Sequence, residues 1–128
     1  MKEKDCEVIM NPTFFDLETQ FLFDEVGGRY PERLKLAIAG ILENNKIQFF
    51  LENQVQKLFR NLNESELIVG HNLFGFDYLV IQPYLEQDVK NTLKGKTFDM
   101  MVEIDKIAGC WTSLDDLGKR NIGMEKKN

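Results

Sequence analysis

The sequence predicts an α/β protein with a mixed five-stranded sheet, in which three antiparallel strands are followed by β-α units and helices flank the sheet. Strand-like segments occupy much of the chain up to residue 51. Beyond that point, segments with a helical period of apolar residues alternate with short apolar strands. This order of elements is typical of a mixed sheet with helices on its faces.

The antiparallel strands come from two segments. "PTFFDLET", residues 12–19, is predicted to be the first strand, and "RLKLAIAGILENNKIQFFL", residues 33–51, contains two more. The latter two are joined at Asn44-Asn45, because asparagine tolerates the left-handed backbone of a tight turn. The intervening "QFLFDEVGGRYPE", residues 20–32, is too long for a tight hairpin. Loops of this length are often functional, but we favour a surface excursion.

The remaining elements alternate between helix and strand. "NQVQKLFRNL", residues 53–62, has a helical period, and "ELIVGHN" is a short buried strand that ends at Gly70. "FDYLVIQPYLEQDV", residues 76–89, has the apolar spacing of a helix that Pro83 kinks or restarts.

Three predicted elements complete the chain. A fifth strand is expected around "GKTFD", followed by a helix from about Met100 to Ala108. Ser113 and Asp116 have capping-box spacing, which predicts a last short helix.

Length and charge restrict the function. A chain of 128 residues fits one domain, residues 1–128, and its 43% hydrophobic content is sufficient for a core. The net charge of -5 argues against a protein that coats nucleic acid by charge alone, since such affinity comes from many lysines and arginines. It does not exclude an enzyme that meets phosphates through bound cations.

The sequence favours a soluble cytoplasmic protein. No apolar stretch is long enough to span a bilayer, and the first residues lack the apolar core of a secretory signal. Cys6 and Cys110 are isolated thiols without metal-ligand spacing, so neither a disulfide framework nor a zinc site is expected.

Two carboxylates lie one residue apart in the first strand. Residues i and i+2 of a strand share a face, so Asp16 and Glu18 point the same way, opposite to Phe15 and Leu17. Such a pair is either solvated or held together by a cation, and hard oxygen ligands suit Mg²⁺ or Mn²⁺. For an isolated D-x-E motif, the solvated outer face of a strand is the more common case.

A second polar cluster follows the fourth strand. "VGHNLFGFD", residues 69–77, leaves the strand through Gly70 and enters a helix near Asp77. Ligands bind at such strand ends. The alternatives are an Asp77 that complements the helix N-terminus, an Asn72 that serves only the turn, and a His71 that is an ordinary loop histidine.

Together, "DLET", "GHNLFGFD" and "TFD" resemble the DEDD superfamily of 3′-5′ exonucleases, which have a ribonuclease H-like fold. The chain is most similar to predicted ribonuclease H-like exonuclease domains that occur alone or beside helicase modules, and to polymerase proofreading domains. The resemblance extends from about Thr13 to Gly123. It implies a phosphodiesterase that uses two ions of Mg²⁺ or Mn²⁺ on the 3′ end of single-stranded DNA or RNA. It also implies a helicase module as a candidate partner.

The resemblance also implies residue roles. The catalytic metal ligands would be Asp16, Glu18 and Asp77. Asp16 would bridge both ions, Glu18 would hold the ion that activates water, and Asp77 would hold the other. Residues that would contact the terminal nucleotide are Thr19, Asn72 and Phe76.

Several further residues are ambiguous. Asp99 matches a frequent acidic position of the family, but helix N-capping explains it equally well, so it is left out of the metal set. Arg29 in the long loop is a candidate contact for a substrate phosphate, although loop arginines are more often solvated. Tyr84 and Asp88 have the spacing of the family's last motif and would share a helical face. We reject them because they follow Asp77 too closely in the same helical segment.

The family's last motif, a Tyr or His four residues before an Asp on a closing helix, is not found before Asn128. We therefore expect an incomplete nuclease with low activity, which lacks its C-terminal helix and exposes apolar sheet surface for self-association or a partner segment. Two alternatives stay open. One is a noncatalytic nucleic-acid-binding or protein-docking domain with a nuclease fold, and the other is a related endonuclease.

Overall fold

The sheet has the predicted mixed topology. A computed structural model describes residues 10–108, in which five strands lie in the order β3-β2-β1-β4-β5. The β1–β2 and β2–β3 pairs are antiparallel, whereas β1–β4 and β4–β5 are parallel. The strand bounds are β1 Pro12–Thr19, β2 Leu36–Glu43, β3 Lys46–Leu51, β4 Leu67–Gly70 and β5 Thr97–Asp99. The α/β class and the ribonuclease H-like arrangement of strands are thereby confirmed.

Within residues 10–108, four α-helices accompany the sheet. Their bounds are α1 Val55–Glu64, α2 Tyr78–Ile81, α3 Val89–Leu93 and α4 Met100–Ala108. The helix predicted at 100–108 is confirmed. Predictions that concern Cys6, Cys110 and the last short helix at Ser113 and Asp116 lie outside the described residues. Across residues 10–108, every helix is too short or too polar to cross a membrane.

The β2–β3 hairpin turns where the sequence predicts. Asn44 and Asn45 have φ values of 54° and 63°, the left-handed region that both central residues of a type I′ turn require. This turn follows the right-handed twist of the strands and sets their register, in which Gly40 lies opposite Phe49.

The hydrophobic core lies against one face of the sheet. Inward-facing residues of the strands pack against apolar residues of α1, α2 and α3. The strand residues of this core are Phe15, Leu17, Ala39, Ile41, Phe50 and Ile68, and the helix residues include Val55, Leu58, Leu62, Tyr78, Ile81 and Leu93. Helices α1 to α3 thus cover this face of the sheet. Met100, at the start of α4, lines a groove together with Phe14 and Leu42, which face the other way.

The opposite face carries an apolar row across all five strands. Its register neighbours are, in order, Ile47, Leu42, Phe14, Val69 and Phe98. All of them except Val69 expose at least 40% of their surface in the described part of the chain. The expected exposure of apolar sheet surface is therefore present, and self-association through it stays a prediction.

The helix expected over residues 76–89 is interrupted. α2 ends in a 3-10 turn that contains Pro83, the chain is extended at Leu85, and α3 begins only at Val89. Asp88 caps α3 because its Oδ1 accepts a hydrogen bond from the Asn91 N–H at 3.1 Å. The prediction that Tyr84 and Asp88 share a helical face is wrong, since an extended residue separates them.

Tyr84 belongs instead to a hydrogen-bonded cluster with Gln20, Leu36 and Glu52. Its hydroxyl donates to Glu52 Oε2 at 2.6 Å and accepts from the Leu36 N–H at 3.0 Å. Gln20 Nε2 donates both to Glu52 Oε1 and to the Leu36 carbonyl, each at 2.9 Å. The bond from Tyr84 lowers the pKa of Glu52, while burial followed by the bond to Glu52 raises the pKa of Tyr84. The cluster joins the end of β1, the start of β2 and the end of β3.

This cluster yields a stability prediction. Tyr84→Phe should lower the free energy of unfolding by about 1–3 kcal/mol, because the buried Leu36 amide loses its acceptor. Urea unfolding followed by circular dichroism measures the change. Tyr30→Phe, which alters a ring that is 41% exposed, is the matched control and should change the value by less than about 0.5 kcal/mol. Equal stability of the two variants would contradict the assigned role.

Candidate functional site

The alternation of β1 presents two carboxylates on one face. Phe15 and Leu17 are buried in the core, whereas Asp16 and Glu18 are exposed on the face opposite the helices. The predicted division of β1 into an apolar and an acidic side is confirmed. Asp16 lies opposite Gly40 in the β1–β2 register, so the neighbouring strand places no side chain beside it.

Two glycines shape the segment that connects β4 to α2. A β-carbon at Gly70 would lie 2.6 Å from Leu73 Cδ2, and one at Gly75 would collide with the Asn72 side chain. Asn72 itself has a φ of 57°, in the left-handed region. Residues Leu73–Asp77 form a π-helical turn directly before α2, so the helical segment begins earlier than predicted.

Asp99 holds this segment in place. Its Oδ1 accepts hydrogen bonds from the N–H groups of Asn72 at 2.7 Å and Met101 at 3.1 Å, and its Oδ2 accepts one from Phe74 at 3.0 Å. The Met101 bond confirms Asp99 as the cap of α4. The bonds from Asn72 and Phe74 hold the segment after β4, a role that the sequence analysis missed. The position of Gly70 and Asp99 at the ends of adjacent parallel strands is the feature that could have indicated this role. The carboxylate of Asp99 is thus engaged by three backbone amides, and its exclusion from the metal set stays a prediction.

Tyr78 anchors the chain just after Asp77. Its ring stacks on Phe15 of β1, with centroids 6.3 Å apart, and meets Phe74 edge-on at 5.5 Å. Its hydroxyl lies 2.8 Å from Thr97 Oγ1, which itself donates to the Leu93 carbonyl, so Tyr78 is the donor to Thr97. These contacts fix the position of Asp77 relative to β1 and β5.

Asp77 is a buried carboxyl group in an unfavourable electrostatic position. It is 4% exposed, and its Oδ2 has no hydrogen-bond partner in the part of the chain that the structure describes. Burial raises its pKa to about 8, and the negative charge of Asp16 and then that of Asp99 add to the increase. Asp77 occupies the N-cap position of α2 but makes no side-chain capping bond to it.

The structure brings Asp16 and Asp77 together, but it does not bring Glu18 into a cluster with them. Within residues 10–108, no three side chains of His, Cys, Asp or Glu are close enough to hold a metal ion. The Asp16–Asp77 pair nevertheless fits a hard cation, because Mg²⁺ is commonly bound by one or two carboxylates together with water and substrate phosphate. A three-ligand site that includes Glu18 stays a prediction.

The other candidate residues lie in the same segments of the chain as this pair. His71 is exposed and, with Asp16, lines a groove of about 470 Å³ whose other lining residues are mostly apolar. The Thr19 hydroxyl donates to the Phe21 carbonyl at 2.9 Å. Phe76 is half-buried and packs edge-on against Phe23, with ring centroids 6.1 Å apart. The roles of Thr19, Asn72 and Phe76 toward a nucleotide stay predictions.

Comparison with known proteins supports the fold. No protein-family model and no curated protein sequence matches the chain. Among solved structures, it is similar to the family B DNA polymerase from the hyperthermophilic archaeon Pyrobaculum calidifontis, with a TM-score of 0.55 and 16% sequence identity. The match covers 92% of this chain but 19% of the polymerase chain, so this chain spans about a fifth of that protein. At this identity, the likeness shows the fold alone.

The raised pKa of Asp77 predicts how stability depends on pH. Between its ordinary value of 3.8 and about 8, the folded protein keeps a proton that the unfolded chain has lost. The free energy of unfolding should therefore fall as pH rises through this range, by up to about 1.4 kcal/mol per pH unit. Asp77→Asn should remove most of this dependence and be more stable than wild type at pH 8.

The free energy of unfolding is measured by denaturant unfolding at several pH values, in buffer with EDTA. Asp88→Asn is the matched control, because Asn retains the cap of α3 and should reproduce the pH profile of the wild type. Identical profiles for Asp77→Asn and the wild type would show that Asp77 titrates normally.

Proposed function

We propose that the chain is a divalent-metal-dependent 3′-5′ exonuclease domain that hydrolyses phosphodiester bonds at the ends of single-stranded DNA or RNA. One observation carries the proposal: Asp77 is buried, one of its carboxylate oxygens has no partner in the described residues, and it is close enough to Asp16 of the central strand for the Asp16 charge to raise its pKa. A protein rarely maintains such a costly arrangement without a functional reason, and strongly shifted carboxyl groups are concentrated at functional sites. The resemblance of the "DLET" and "GHNLFGFD" motifs to DEDD exonucleases points to the same chemistry.

Asp16 and Asp77 would hold Mg²⁺ or Mn²⁺, and Glu18 would be a third ligand. A cation bound there supplies Lewis-acid stabilisation of phosphate charge and lowers the pKa of bound water. Asp77 would lose its proton when the cation binds, so affinity should increase with pH. Asp99 and Tyr78 keep Asp77 in place through their contacts with the neighbouring backbone and strands.

Substrate binding by this site does not require a basic protein. The chain carries a net charge of -5, so phosphate attraction would come from the cation and from a few positioned side chains. A helicase module as partner and self-association through the apolar row are further parts of the proposal.

A noncatalytic nucleic-acid-binding or protein-docking domain is the second candidate. The observation in its favour is that residues 10–108 contain no three-residue metal-ligand group. Metal binding and turnover distinguish it from the exonuclease, since a docking domain needs neither.

Binding of Mn²⁺ is the first test. Mn²⁺ should raise the melting temperature of the wild type at pH 8, because a ligand that binds only the folded state stabilises it. Asp16→Ala should abolish the increase, Glu18→Gln should reduce it, and the control Asp88→Asn should retain it. A titration in which wild type and Asp16→Ala have the same Mn²⁺ affinity would refute the metal site.

Turnover is the second test. With Mn²⁺, we expect slow shortening of linear single-stranded DNA or RNA from the 3′ end and no cleavage of a circular strand. Slow turnover is expected because only two of the carboxylates are brought together in residues 10–108. Asp16→Ala should abolish the reaction, and oligonucleotides labelled at the 5′ end report it on a denaturing gel. Cleavage of the circle would indicate an endonuclease, and no cleavage of either substrate would favour the noncatalytic domain.

A further inference from the structure

The loop between β1 and β2 is a well-defined structure rather than an irregular excursion. Its base is closed by hydrogen bonds from the Gln20 N–H to the Lys35 carbonyl at 2.8 Å and from the Phe21 N–H to the Leu34 carbonyl at 3.1 Å. Two 3-10 turns, Phe23–Val26 and Pro31–Arg33, lie inside it. Gly27, at φ 87°, ends the first turn in the left-handed conformation that glycine adopts most easily.

A chain of three side chains leads from this loop to the carboxylate pair. The Arg29 guanidinium lies over the Phe23 ring, 4.9 Å from its centroid, and Phe23 packs edge-on against Phe76. Phe76 directly precedes Asp77 in the π-helical turn. We refer to Arg29, Phe23 and Phe76 as the arginine stack, and its packing connects an exposed arginine to the backbone that carries Asp77.

A second guanidinium on the same loop is held in the same way. Arg33 lies over the Tyr30 ring at 4.2 Å, and its Nη1 donates to the Val26 carbonyl at 3.4 Å. Tyr30 also closes over Gly28, where a β-carbon would lie 2.9 Å from the ring. Arginine and aromatic side chains are therefore interleaved on a rigid loop, an arrangement that suits single-stranded nucleic acid better than a duplex, because unpaired bases can stack on exposed rings.

Stacking prepares Arg29 to bind a phosphate. A guanidinium that lies over an aromatic ring can still use its planar N–H edge, and that edge matches the oxygens of a phosphate in a bidentate contact. Prior restriction of the side chain reduces the entropy that binding would cost. The loop also contains Asp24, Glu25 and Glu32, so it is not a basic patch. A phosphate contact here depends on the position of Arg29 and not on the net charge of the loop.

We propose that Arg29 binds a backbone phosphate of a single-stranded nucleic acid whose end lies at Asp16 and Asp77. Phe23 and Phe76 act as positioning residues that keep the guanidinium beside the site. This inference rests on the proposed function, because it assigns a substrate contact to the same site. It adds a recognition element that contains no metal ligand.

The test measures binding without catalysis. Fluorescence anisotropy follows the full chain as it binds labelled oligo(dT) and oligo(U) in EDTA, across a series of salt concentrations. Loss of one phosphate contact reduces the slope of log affinity against log salt by about 0.7 and weakens binding about eightfold at roughly 50 mM salt. Arg29→Ala should show both effects, and Arg29→Lys should restore most of the slope. Arg60→Ala, which removes an exposed arginine of α1, is the matched control and should show neither effect.

Phe23→Leu separates positioning from direct contact. It should weaken binding while the salt slope stays close to the wild-type value, because Arg29 still reaches the phosphate but is less ordered. The inference is overturned if the wild type binds neither oligonucleotide, or if Arg29→Ala and Arg60→Ala bind equally. The two experiments are independent, because EDTA removes divalent metal from the binding assay. Loss of binding in EDTA would not rule out Mn²⁺-dependent turnover, and loss of turnover would not rule out binding by Arg29.

Discussion

The carboxylate of Asp99 is the contact on which the candidate site depends. Its two oxygens accept three backbone N–H groups, two from the segment that follows β4 and one from the first turn of α4. These bonds satisfy amides that a left-handed residue at Asn72 and a π-helical turn would otherwise leave without partners. The position of Asp77 follows from this turn. A carboxylate at the end of β5 thus acts on the site through the backbone, without any need to touch a ligand.

The same region shows how a functional site can reduce stability. Asp77 sits in a buried position beside Asp16, where an apolar or amide side chain would be more favourable for folding at neutral pH. Phe15 and Phe74 make aromatic contacts with Tyr78, the next residue in the chain, and this well-packed apolar surface compensates. The acidic pair is therefore held by the core beneath it.

Local patterns in the sequence were sufficient for most elements of the fold. Alternation along β1, the Asn44-Asn45 turn and the spacing of apolar residues in α1 are properties of short segments, and each element was predicted close to its observed bounds. The segment over residues 76–89 was predicted to be a helix that Pro83 kinks or restarts, and α2 does end in a turn that contains Pro83. The extended residue Leu85 and the late restart at Val89 were not predicted, because the apolar spacing continues through the break. The grouping of Asp16 with Asp77 followed from the resemblance of the "DLET" and "GHNLFGFD" motifs to DEDD exonucleases. The contacts of Tyr84 with Glu52 and of Arg29 with Phe23 were missed, because they depend on tertiary packing.

The β2–β3 hairpin has a consequence for the order of folding. Its strands are adjacent in sequence and its asparagine turn specifies the register, so this part of the sheet can form with a small loss of chain entropy. The parallel strands β4 and β5 pair with partners that are distant in the chain, and such long-range pairing is slower. Asp16 lies in β1, beside the hairpin that is expected to form quickly. Asp77 follows β4 and Asp99 ends β5, the two strands that are expected to pair more slowly. The candidate site should therefore assemble late, so that any nucleus in the hairpin forms before the two carboxylates have to approach each other.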